Sequence, residues 1–338
     1  MAGHRRVTVR DIAAETGMSI ATVSRALNDH HAVTPATRAL VHDAAERLRA
    51  RIGQSGKPKG GAVFVRCPYV LTDYFGLIVS SIAETLTLHG RQLVLTAGEA
   101  AQRTPLLADL DGREGLTGVI VILPPEPGDD LVELQRRRLP FVVVDPRTTL
   151  PRDIVSVSAA HFAGARRLTG HLVELGHRRI GVIGGPTEWL ASDARLAGHN
   201  AALADVGVLP SGELLRSVQP TTEHGHRAAA SLLDLPQRPT ALVCFNDKAA
   251  VGALAAAAER GLRVPDDLSV TGFDDLDLAR ATGLTTVRQP LQEMGRMAVS
   301  LLVRLLEQHE LDALHIELAT QLVVRSSTAP PPVRSLDA

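Results

Sequence analysis

Polar side chains directly follow two apolar runs in the second half of the chain. Asn246 and Asp247 come after Ala-Leu-Val-Cys-Phe, and Asp274 and Asp275 come after Ser-Val-Thr-Gly-Phe. Arg195 stands near the start of a helical pattern that follows a Gly-Gly-Pro turn. Carboxylate, amide and guanidinium groups that meet in one cleft can form paired hydrogen bonds with adjacent hydroxyl groups, such as those of a sugar. The alternative is that these side chains only cap helices and turns, which is the preferred interpretation for Asp247 and Asp275.

Aromatic residues make up only 3% of the chain, so their positions carry weight. Several of them end predicted strands or lie in the segments that follow, namely Tyr69, Tyr74, Phe162, Trp189 and Phe245. Flat aromatic faces can stack on the C–H side of a sugar ring or on a purine. For Trp189 and Tyr74 a role in core packing is an equal alternative, and Phe75 and Phe141 fit the core better.

The elements that must position these side chains are short β-branched runs that alternate with amphipathic helical patterns from residue 61 onward. The predicted strands are Ala62–Val65, Leu93–Thr96, Val119–Leu123, Phe141–Val144, Ile154–Val157, Ile180–Ile183, Ala241–Phe245, Leu268–Thr271 and Leu318–Val324. Near-continuous apolar strands joined through helices predict parallel sheets with helices on both faces. Because one compact sheet would not hold so many strands, we expect two α/β lobes with a boundary near residues 155–160. Ligands of such sheets bind in the crevice at the carboxyl ends of the strands.

The first sixty residues contain a different pattern, in which two short helices are separated by a tight turn. Thr8 can cap the first helix, with Asp11 at the spacing of a capping box, and Gly17 can end it. Ser19 can cap the second helix, and a third helical pattern covers residues 34–48. This pattern predicts a three-helix head.

The second predicted helix has an apolar side formed by Val23, Ala26 and Leu27. Its opposite side carries small or hydroxyl-bearing residues, one larger apolar residue and one arginine, namely Ile20, Ala21, Thr22, Ser24 and Arg25. Such side chains suit a helix that enters the major groove of DNA.

Charge separates the head from the remainder of the chain. Residues 1–60 contain ten Arg and Lys residues against five acidic residues, although the whole chain has a net charge of −1. A basic head joined to an acidic body is the asymmetry expected when one end of a protein contacts phosphates. The alternative, a small helical bundle that binds nothing, does not explain this charge.

The segment from Val7 to Asn28 resembles the helix-turn-helix signature of the LacI–GalR family of bacterial transcription regulators. Segments similar to the same family recur in order downstream, at Glu174–Pro186, Asn246-Asp247, Gly272–Asp275 and Leu284–Pro290. The resemblance implies an α/β protein in which the head joins a two-lobe body similar to periplasmic sugar-binding proteins. It also implies that the chain crosses between the lobes three times.

The resemblance and the composition together predict a domain organisation. We expect a DNA-binding head at 1–50, a short atypical hinge at 51–60, a first lobe at 61–157 and 288–317, a second lobe at 158–287 and 318–330, and a disordered tail at 331–338.

The resemblance also assigns candidate site residues. Because matching positions in the family hold the effector, ligand contact is the preferred interpretation for Arg195, Asn246 and Asp274. The residues expected to contact the effector are Tyr69, Tyr74, His161, Phe162, Trp189, Arg195, Phe245, Asn246, Asp274 and Gln289. The residues expected to contact DNA are Thr8, Ser19, Ile20, Ala21, Thr22, Ser24, Arg25, Asn28, Arg51 and Ile52.

We expect different roles within the DNA-contacting set. Arg25 would bond a guanine edge or a phosphate, and Ile20 and Ala21 would read bases through apolar contact. Phosphates would be held by Thr22, Ser24 and Asn28.

Two departures from the family pattern bear on function. Many relatives carry Asp-Asn where this chain has Ala160-His161, so an acidic contact is absent and His161 can substitute as a donor. In relatives, the third helix is also followed by a Tyr-x-Pro-Asn segment and by a leucine that inserts into the minor groove as a wedge. Here Ile52 is the one candidate wedge in a shorter, glycine-containing segment. A flexible basic tether that includes Arg51 is the slightly preferred alternative.

These observations predict a homodimeric transcription regulator, most often a repressor in this family, that binds operator DNA and a small-molecule effector. The effector is expected to be a mono- or oligosaccharide. A purine or phosphometabolite effector and a non-regulatory binding protein are the alternatives. No nucleophile elbow, dinucleotide-binding or phosphate-loop motif and no metal-spaced His/Cys cluster is present, so we expect no catalytic residues, cofactor or metal. Without a signal peptide or a membrane span, a cytoplasmic location is expected.

Overall fold

The computed structural model describes residues 8–27, 33–34, 37–46, 60–111 and 113–332. The chain divides into two compact units, a head in residues 1–60 and a body in residues 61–338. Three of the predicted DNA-contacting residues, Asn28, Arg51 and Ile52, lie outside the described residues.

Three helices make up the described part of the head, α1 (Val9–Thr16), α2 (Ile20–Leu27) and α3 (residues 37–46). The predicted capping box is confirmed, because Thr8 Oγ1 accepts from Asp11 N–H at 3.3 Å and Asp11 Oδ2 accepts from Thr8 N–H at 2.8 Å. Gly17 ends α1 with a left-handed φ of 68°, and Ser19 Oγ accepts from Thr22 N–H at the start of α2. The local sequence therefore sets both ends of the turn between α1 and α2.

The core of the head is built mainly from small apolar side chains. Its buried members are Ile12, Ala13, Val23, Ala26, Val33, Val41, Ala44 and Ala45. Because most of these side chains are alanine or valine, α1, α2 and α3 can approach closely around a small core.

The body alternates strands with helices, as the sequence predicts. Its strands are β1 (Ala62–Cys67), β2 (Gln92–Ala97), β3 (Leu116–Ile122), β4 (Phe141–Val144), β5 (Ser156–Ala159), β6 (Ile180–Gly184), β7 (Leu215–Ser217), β8 (Ala241–Cys244), β9 (Ser269–Thr271), β10 (Thr286–Arg288), β11 (His315–Leu318) and β12 (Gln321–Val323). Its helices are α4 (Asp73–Leu88), α5 (Glu99–Arg103), α6 (Leu106–Leu110), α7 (Gly128–Arg136), α8 (His161–Glu174), α9 (Leu190–Ala204), α10 (Thr222–Leu233), α11 (Asp247–Glu259), α12 (Asp277–Ala281) and α13 (Leu291–Leu306), with a short 3-10 turn at Gly212–Leu214.

Two parallel sheets organise these elements into two lobes. The first lobe contains a six-stranded sheet in the order β11-β5-β4-β3-β1-β2, and the second contains a four-stranded sheet in the order β7-β6-β8-β9. All strand pairs within both sheets are parallel. The predicted α/β fold class with parallel sheets is confirmed.

One predicted strand is wrong. The apolar run Leu318–Val324 holds parts of two strands, because β11 ends at Leu318 in the first sheet and β12 pairs antiparallel with β10 from Gln321 onward. The chain leaves one lobe for the other between them, so the break comes from tertiary structure rather than from the local pattern. Strands β7 and β10 were not predicted either.

Helices cover the sheets in sequence-distant pairs. In the first lobe α13 packs on α4 and on β3, β4 and β5, although more than two hundred residues separate the two helices. In the second lobe α8 packs on α9 and α10 packs on α11. No helix within the described ranges is both long and apolar enough to cross a membrane.

Candidate functional site

A cavity of about 400 Å³ lies in the body where strands of both large sheets end at their carboxyl edges. The wall from the first lobe, the first wall, consists of Tyr69, Val70, Thr72, Tyr74, Phe75, Leu123 and Asp145. The wall from the second lobe, the second wall, consists of Trp189, Ala191, Arg195, Gln219, Pro220, Thr221, Phe245, Asn246, Lys248, Asp274 and Leu276. Its volume lies within the range of small-molecule sites.

Aromatic rings are concentrated around this cavity. Five of the nine aromatic residues in the chain line it. Tyr69 stacks on Phe75 with ring centroids 4.7 Å apart, and its edge meets Trp189 at 6.4 Å. Trp189 in turn meets Phe245 at 6.1 Å. The rings thus form a connected aromatic surface that reaches from the first wall to the second.

Unusual backbone conformations also collect at the cavity. Leu123, Asp145 and Asp274 have positive φ values of 46°, 52° and 124°, respectively. They are three of the six such non-glycine residues among those the structure describes. Each stands just beyond the end of a strand, and conformations of this kind persist only where the surrounding structure fixes them.

A chain of buried hydrogen bonds runs behind and along the cavity walls. Tyr74 OH donates to Asp145 Oδ2 at 3.1 Å, and His161 Nε2 lies 2.8 Å from Asp145 Oδ1. Arg195 Nε and Nη2 lie 3.4 and 3.3 Å from His161 Nδ1, and Arg195 Nη1 donates to the Phe245 carbonyl at 2.5 Å. Burial alone would raise the pKa of Asp145, but His161 and Arg195 hold it below its ordinary value.

Arg195 is held by aromatic rings as well as by hydrogen bonds. Its guanidinium lies over Phe245 at 4.3 Å and over Phe273 at 3.8 Å from the ring centroids. A guanidinium fixed in this way is a rigid part of the cavity wall.

Asp274 differs from Asp145 in its partners. Gln289 Nε2 donates to Asp274 Oδ1 at 2.7 Å, and no Lys, Arg or His among the described residues forms an ion pair with this carboxyl group. Burial, followed by the nearby charge of Asp247, raises the pKa of Asp274 far above that of an ordinary aspartate. The nearby charge of Arg195 opposes this rise in pKa without forming an ion pair with Asp274. A buried carboxyl group that keeps its proton can both donate to and accept from the hydroxyl groups of a ligand.

The two neighbouring acids bond to protein groups, although the partners are not the helix and turn caps that the sequence suggested. Asp247 is fully buried, where its oxygens accept from the Thr286 hydroxyl at 2.6 Å and the Leu276 N–H at 3.0 Å. Asp275 forms ion pairs with Arg288 and Arg325.

Asn246 caps a helix and also lines the cavity. Its Oδ1 accepts from Ala249 N–H at 2.9 Å and so caps α11. Its Nδ2 donates to the Pro220 carbonyl at 3.3 Å, and the side chain also lines the cavity.

Seven of the ten predicted effector residues line the cavity: Tyr69, Tyr74, Trp189, Arg195, Phe245, Asn246 and Asp274. His161 and Gln289 lie one layer behind, bonded to Asp145 and Asp274. The prediction for Phe162 needs correction, because this side chain is 44% exposed in a different surface groove, beside Arg166. Successive helix residues point about 100° apart, so when His161 turns inward Phe162 turns outward.

Several wall residues were missed by sequence reasoning. Asp145 directly follows the strand Phe-Val-Val-Val, so the strand-end rule that selected Asn246 would also have found it. Lys248 and Gln219 had no such signal, because helix α11 and the loop after the unpredicted strand β7 bring them to the cavity.

The head presents the predicted side of α2 on its surface. Ile20 is 52% exposed, and Ser19, Ala21 and Arg25 are also exposed, whereas Val23 and Ala26 are buried. Thr22 and Ser24 are half-buried, and Thr22 Oγ1 lies 2.9 Å from Ser19 Oγ. Thr8 is exposed, with its hydroxyl in the capping box.

Comparison with known proteins identifies both units. Residues 8–49 match the family described as "Bacterial regulatory proteins, lacI family", and residues 169–328 match "Periplasmic binding protein-like domain". Over 333 residues the chain is 33% identical to the HTH-type transcriptional repressor CytR of Escherichia coli (strain K12), covering 95% of this chain and 96% of that protein.

Solved structures agree with this assignment. The transcriptional regulator CelR–cellobiose complex has a TM-score of 0.73 and 29% identity, covering 95% of this chain and 100% of that chain. The lac repressor dimer bound to operator and the anti-inducer ONPF has a TM-score of 0.73 and 27% identity, covering 96% and 100%. The chain belongs to the LacI family and is a ligand-responsive, DNA-binding transcription regulator.

Proposed function

We propose that this regulator is a homodimeric repressor that releases a pseudo-palindromic operator when a mono- or oligosaccharide binds in the cavity. The similar lac repressor is a dimer bound to operator, and the similar CelR holds cellobiose. Two heads related by a two-fold axis would meet two half-sites of a pseudo-palindrome. Because effector and operator bind the same protein, each would change the affinity for the other by the same factor.

The observation that carries the sugar assignment is the composition of the cavity walls. Connected aromatic rings offer flat faces to the C–H side of a sugar ring, and Asn246 and Asp274 offer directional groups to its hydroxyls. Asp274 has one oxygen bonded to Gln289 and forms no ion pair among the described residues, so its carboxyl group is available to a ligand hydroxyl.

Charge favours an uncharged ring compound over a phosphorylated one. The guanidinium of Arg195 is already engaged by Phe245 and His161. Lys248 is half-buried at the cavity wall, with its Nζ 3.4 Å from Thr72 Oγ1. A phosphate in the cavity would therefore meet the carboxylate of Asp145 and, among the described lining residues, would depend on the ammonium of Lys248 for its neutralisation.

A purine is the second candidate, and the aromatic surface specifically favours it. A flat base could stack on the rings of Tyr69 or Trp189 and donate an amino hydrogen bond to Asp274. A phosphometabolite is disfavoured by the same charge argument that applies to phosphorylated sugars.

In the head, we propose that α2 enters the major groove. Arg25 would contact a guanine edge or a phosphate, and the exposed Ile20 and Ala21 would contact bases. Thr22 and Ser24 would hold phosphates, with Thr8 and Ser19 at the helix starts beside them. Asn28, Arg51 and Ile52 remain predicted contacts.

We further propose that the cavity binds its ligand without chemical conversion, so that the protein is not an enzyme. The similar proteins are transcriptional regulators, and the polar groups of the cavity are bonded to one another rather than arranged as a nucleophile beside a base. Since a bacterial regulator must reach DNA, we place it in the cytoplasm.

A thermal-shift panel on the full chain tests the ligand class. The probes are cellobiose, glucose, glucose 6-phosphate, adenosine and AMP at millimolar concentration. A sugar should raise the melting temperature, and its phosphorylated counterpart should not. Stabilisation by adenosine alone would assign the effector to the purines instead of the sugars. Stronger stabilisation by a phosphorylated probe would contradict the charge argument.

A matched pair of variants shows whether the shift comes from the cavity. Asp274→Ala should abolish the shift, whereas Asp277→Ala should keep it, because the Asp277 side chain is almost fully exposed outside the cavity. Loss of the shift in both variants, or in neither, would remove Asp274 from the site.

A further inference from the structure

His161 occupies a junction between the two lobes. It is the first residue of α8, directly after the chain leaves β5 of the first sheet, and it is buried. On one side its Nε2 lies 2.8 Å from Asp145 Oδ1, at the end of β4 in the first lobe. On the other side its Nδ1 lies 3.3 Å from Arg195 Nη2, on α9 in the second lobe. The His161 imidazole therefore contacts one residue of each wall without lining the cavity itself.

The partners of His161 fix its tautomer. A guanidinium only donates hydrogen bonds, so the Nδ1 atom facing Arg195 must carry a lone pair. The ring proton is then on Nε2, which donates to the carboxylate of Asp145. In this neutral form both ring nitrogens are satisfied, and neither is left for a ligand.

The hydrogen-bonded chain extends beyond His161 at both ends. Asp145 also accepts from Tyr74 of the first wall, and Arg195 also donates to the Phe245 carbonyl at the end of β8. Tyr74, Asp145, Arg195 and Phe245 all line the cavity, whereas His161 does not. A movement of either wall against the other would have to strain or break a bond to His161.

We propose that His161 is a positioning residue that joins the two cavity walls by bridging Asp145 and Arg195, without touching the effector. It sets the distance and orientation between the carboxylate and the guanidinium, and thereby couples a change in one lobe to the other. The proposal rests on the proposed function insofar as the cavity between these walls is the effector site. It replaces the expectation that His161 itself donates a hydrogen bond to the ligand.

The tautomer is a direct test in the unmodified chain. Long-range ¹H–¹⁵N spectra of the full-length protein with ¹⁵N-labelled histidine, assigned by comparison with His161→Gln, should show the Nε2–H tautomer at pH 7.5. An Nδ1–H or doubly protonated ring would overturn the bridge, because Arg195 could then not donate to it. This measurement requires no ligand, and the variant serves only to assign the resonance of the unmodified protein.

Hydrogen–deuterium exchange tests whether His161 joins the two cavity walls. His161→Phe keeps a buried ring and removes both bonds, so exchange should become several-fold faster at the ends of both β4 and β8 and around Arg195. The control is His177→Gln, another buried histidine, which bonds Thr240 and Ser269 of the second lobe. It should leave the end of β4 unchanged. Faster exchange confined to α8 in His161→Phe would reduce His161 to a local packing residue.

The failure of this proposal can be separated from failure of the proposed function. If cellobiose and adenosine both fail to stabilise the wild-type protein, the assigned ligand classes are wrong, while the tautomer and exchange results still decide the role of His161. If cellobiose stabilises the wild type, its thermal shift should fall sharply in His161→Phe and persist in His177→Gln. An unchanged shift in His161→Phe would overturn the positioning role.

Discussion

The head and the cavity present opposite kinds of surface. On α2 the candidate DNA contacts are exposed side chains, such as Ile20 and Arg25, on a helix supported by a small core. In the cavity, Asp145 is buried and Arg195 is half-buried, and both are already hydrogen bonded to neighbours. If these are the two binding sites, DNA would be contacted by side chains that can still adjust, whereas the effector would meet a rigid, preorganised wall. Substitutions should therefore separate the two functions cleanly.

The largest expected effect is in the cavity. Asp274→Ala removes a buried carboxyl group from the cavity wall, so effector affinity should fall by about 100-fold, or about 3 kcal/mol. Isothermal titration calorimetry with the stabilising probe measures this loss. Operator affinity without effector should stay within about two-fold of wild type, since the head is untouched. Comparable losses of effector and operator affinity would show that this substitution does not affect effector binding alone.

The reciprocal substitution lies in the head. Arg25→Ala should weaken specific DNA binding by about 1–3 kcal/mol and leave effector affinity unchanged. Fluorescence anisotropy measures the affinity for specific and for random duplexes, and calorimetry measures effector affinity. Equal losses on the two duplexes would make Arg25 a phosphate contact only, and a loss of effector affinity would contradict the comparison.

Acid should destabilise the body through the buried His199, whereas His42, the histidine among the described residues of the head, is exposed. Burial lowers the pKa of His199 to about 4, below its ordinary 6.5. As the pH falls below 6.5 the unfolded chain gains the proton first, so stability that is present at pH 7 is lost towards pH 4. This group should cost about 2 kcal/mol between pH 7 and pH 5.

Urea unfolding of wild type and His199→Gln at both pH values checks this cost. The variant, in which Gln can still bond Thr169, should lose less stability on acidification. Equal losses of stability in wild type and His199→Gln would mean that other groups account for the acid sensitivity.

A smaller effect is expected from the aromatic surface. Tyr69→Ala removes one ring that stacks on Phe75 and meets Trp189, so effector affinity should fall about ten-fold. Tyr69→Phe keeps the ring and serves as the matched control in the same titration. If Phe and Ala lowered affinity equally, the hydroxyl rather than the ring would be responsible.

The smallest effect concerns the local stability of the head. Thr8→Ala breaks the capping box with Asp11 and should destabilise the head by about 1 kcal/mol. Amide exchange in α1 should rise while exchange in the body stays constant, and Thr8→Ser should restore protection. Protection of α1 that is unchanged in Thr8→Ala would show that the cap contributes nothing.

Local interactions explain which features could be predicted from the sequence. The capping box at Thr8 and the turn at Gly17 depend on neighbours within four residues, and both were predicted correctly. Asn246 and Asp274 were found because they follow strands. The break between β11 and β12 could not be predicted, because an apolar run does not reveal a crossover between lobes. The outward direction of Phe162 depends on its position in α8, which begins at His161, one residue before Phe162.

The network behind the cavity was beyond sequence reasoning for a related reason. Asp145, His161 and Arg195 come from three separate elements, and only the packing of two lobes brings them within hydrogen-bonding distance. The boundaries of the hinge and the lobes, and the wedge role of Ile52, stay predictions.

Anisotropy of a labelled duplex from the region upstream of the gene tests the central claim most directly. Full-length protein is titrated onto the duplex, and the sugar that stabilises it in the thermal-shift panel is then added. We predict release of the duplex from wild type, no release from Asp274→Ala, and weak initial binding by Arg25→Ala. Release from Asp274→Ala equal to that from wild type would contradict the assignment of the cavity as the switch.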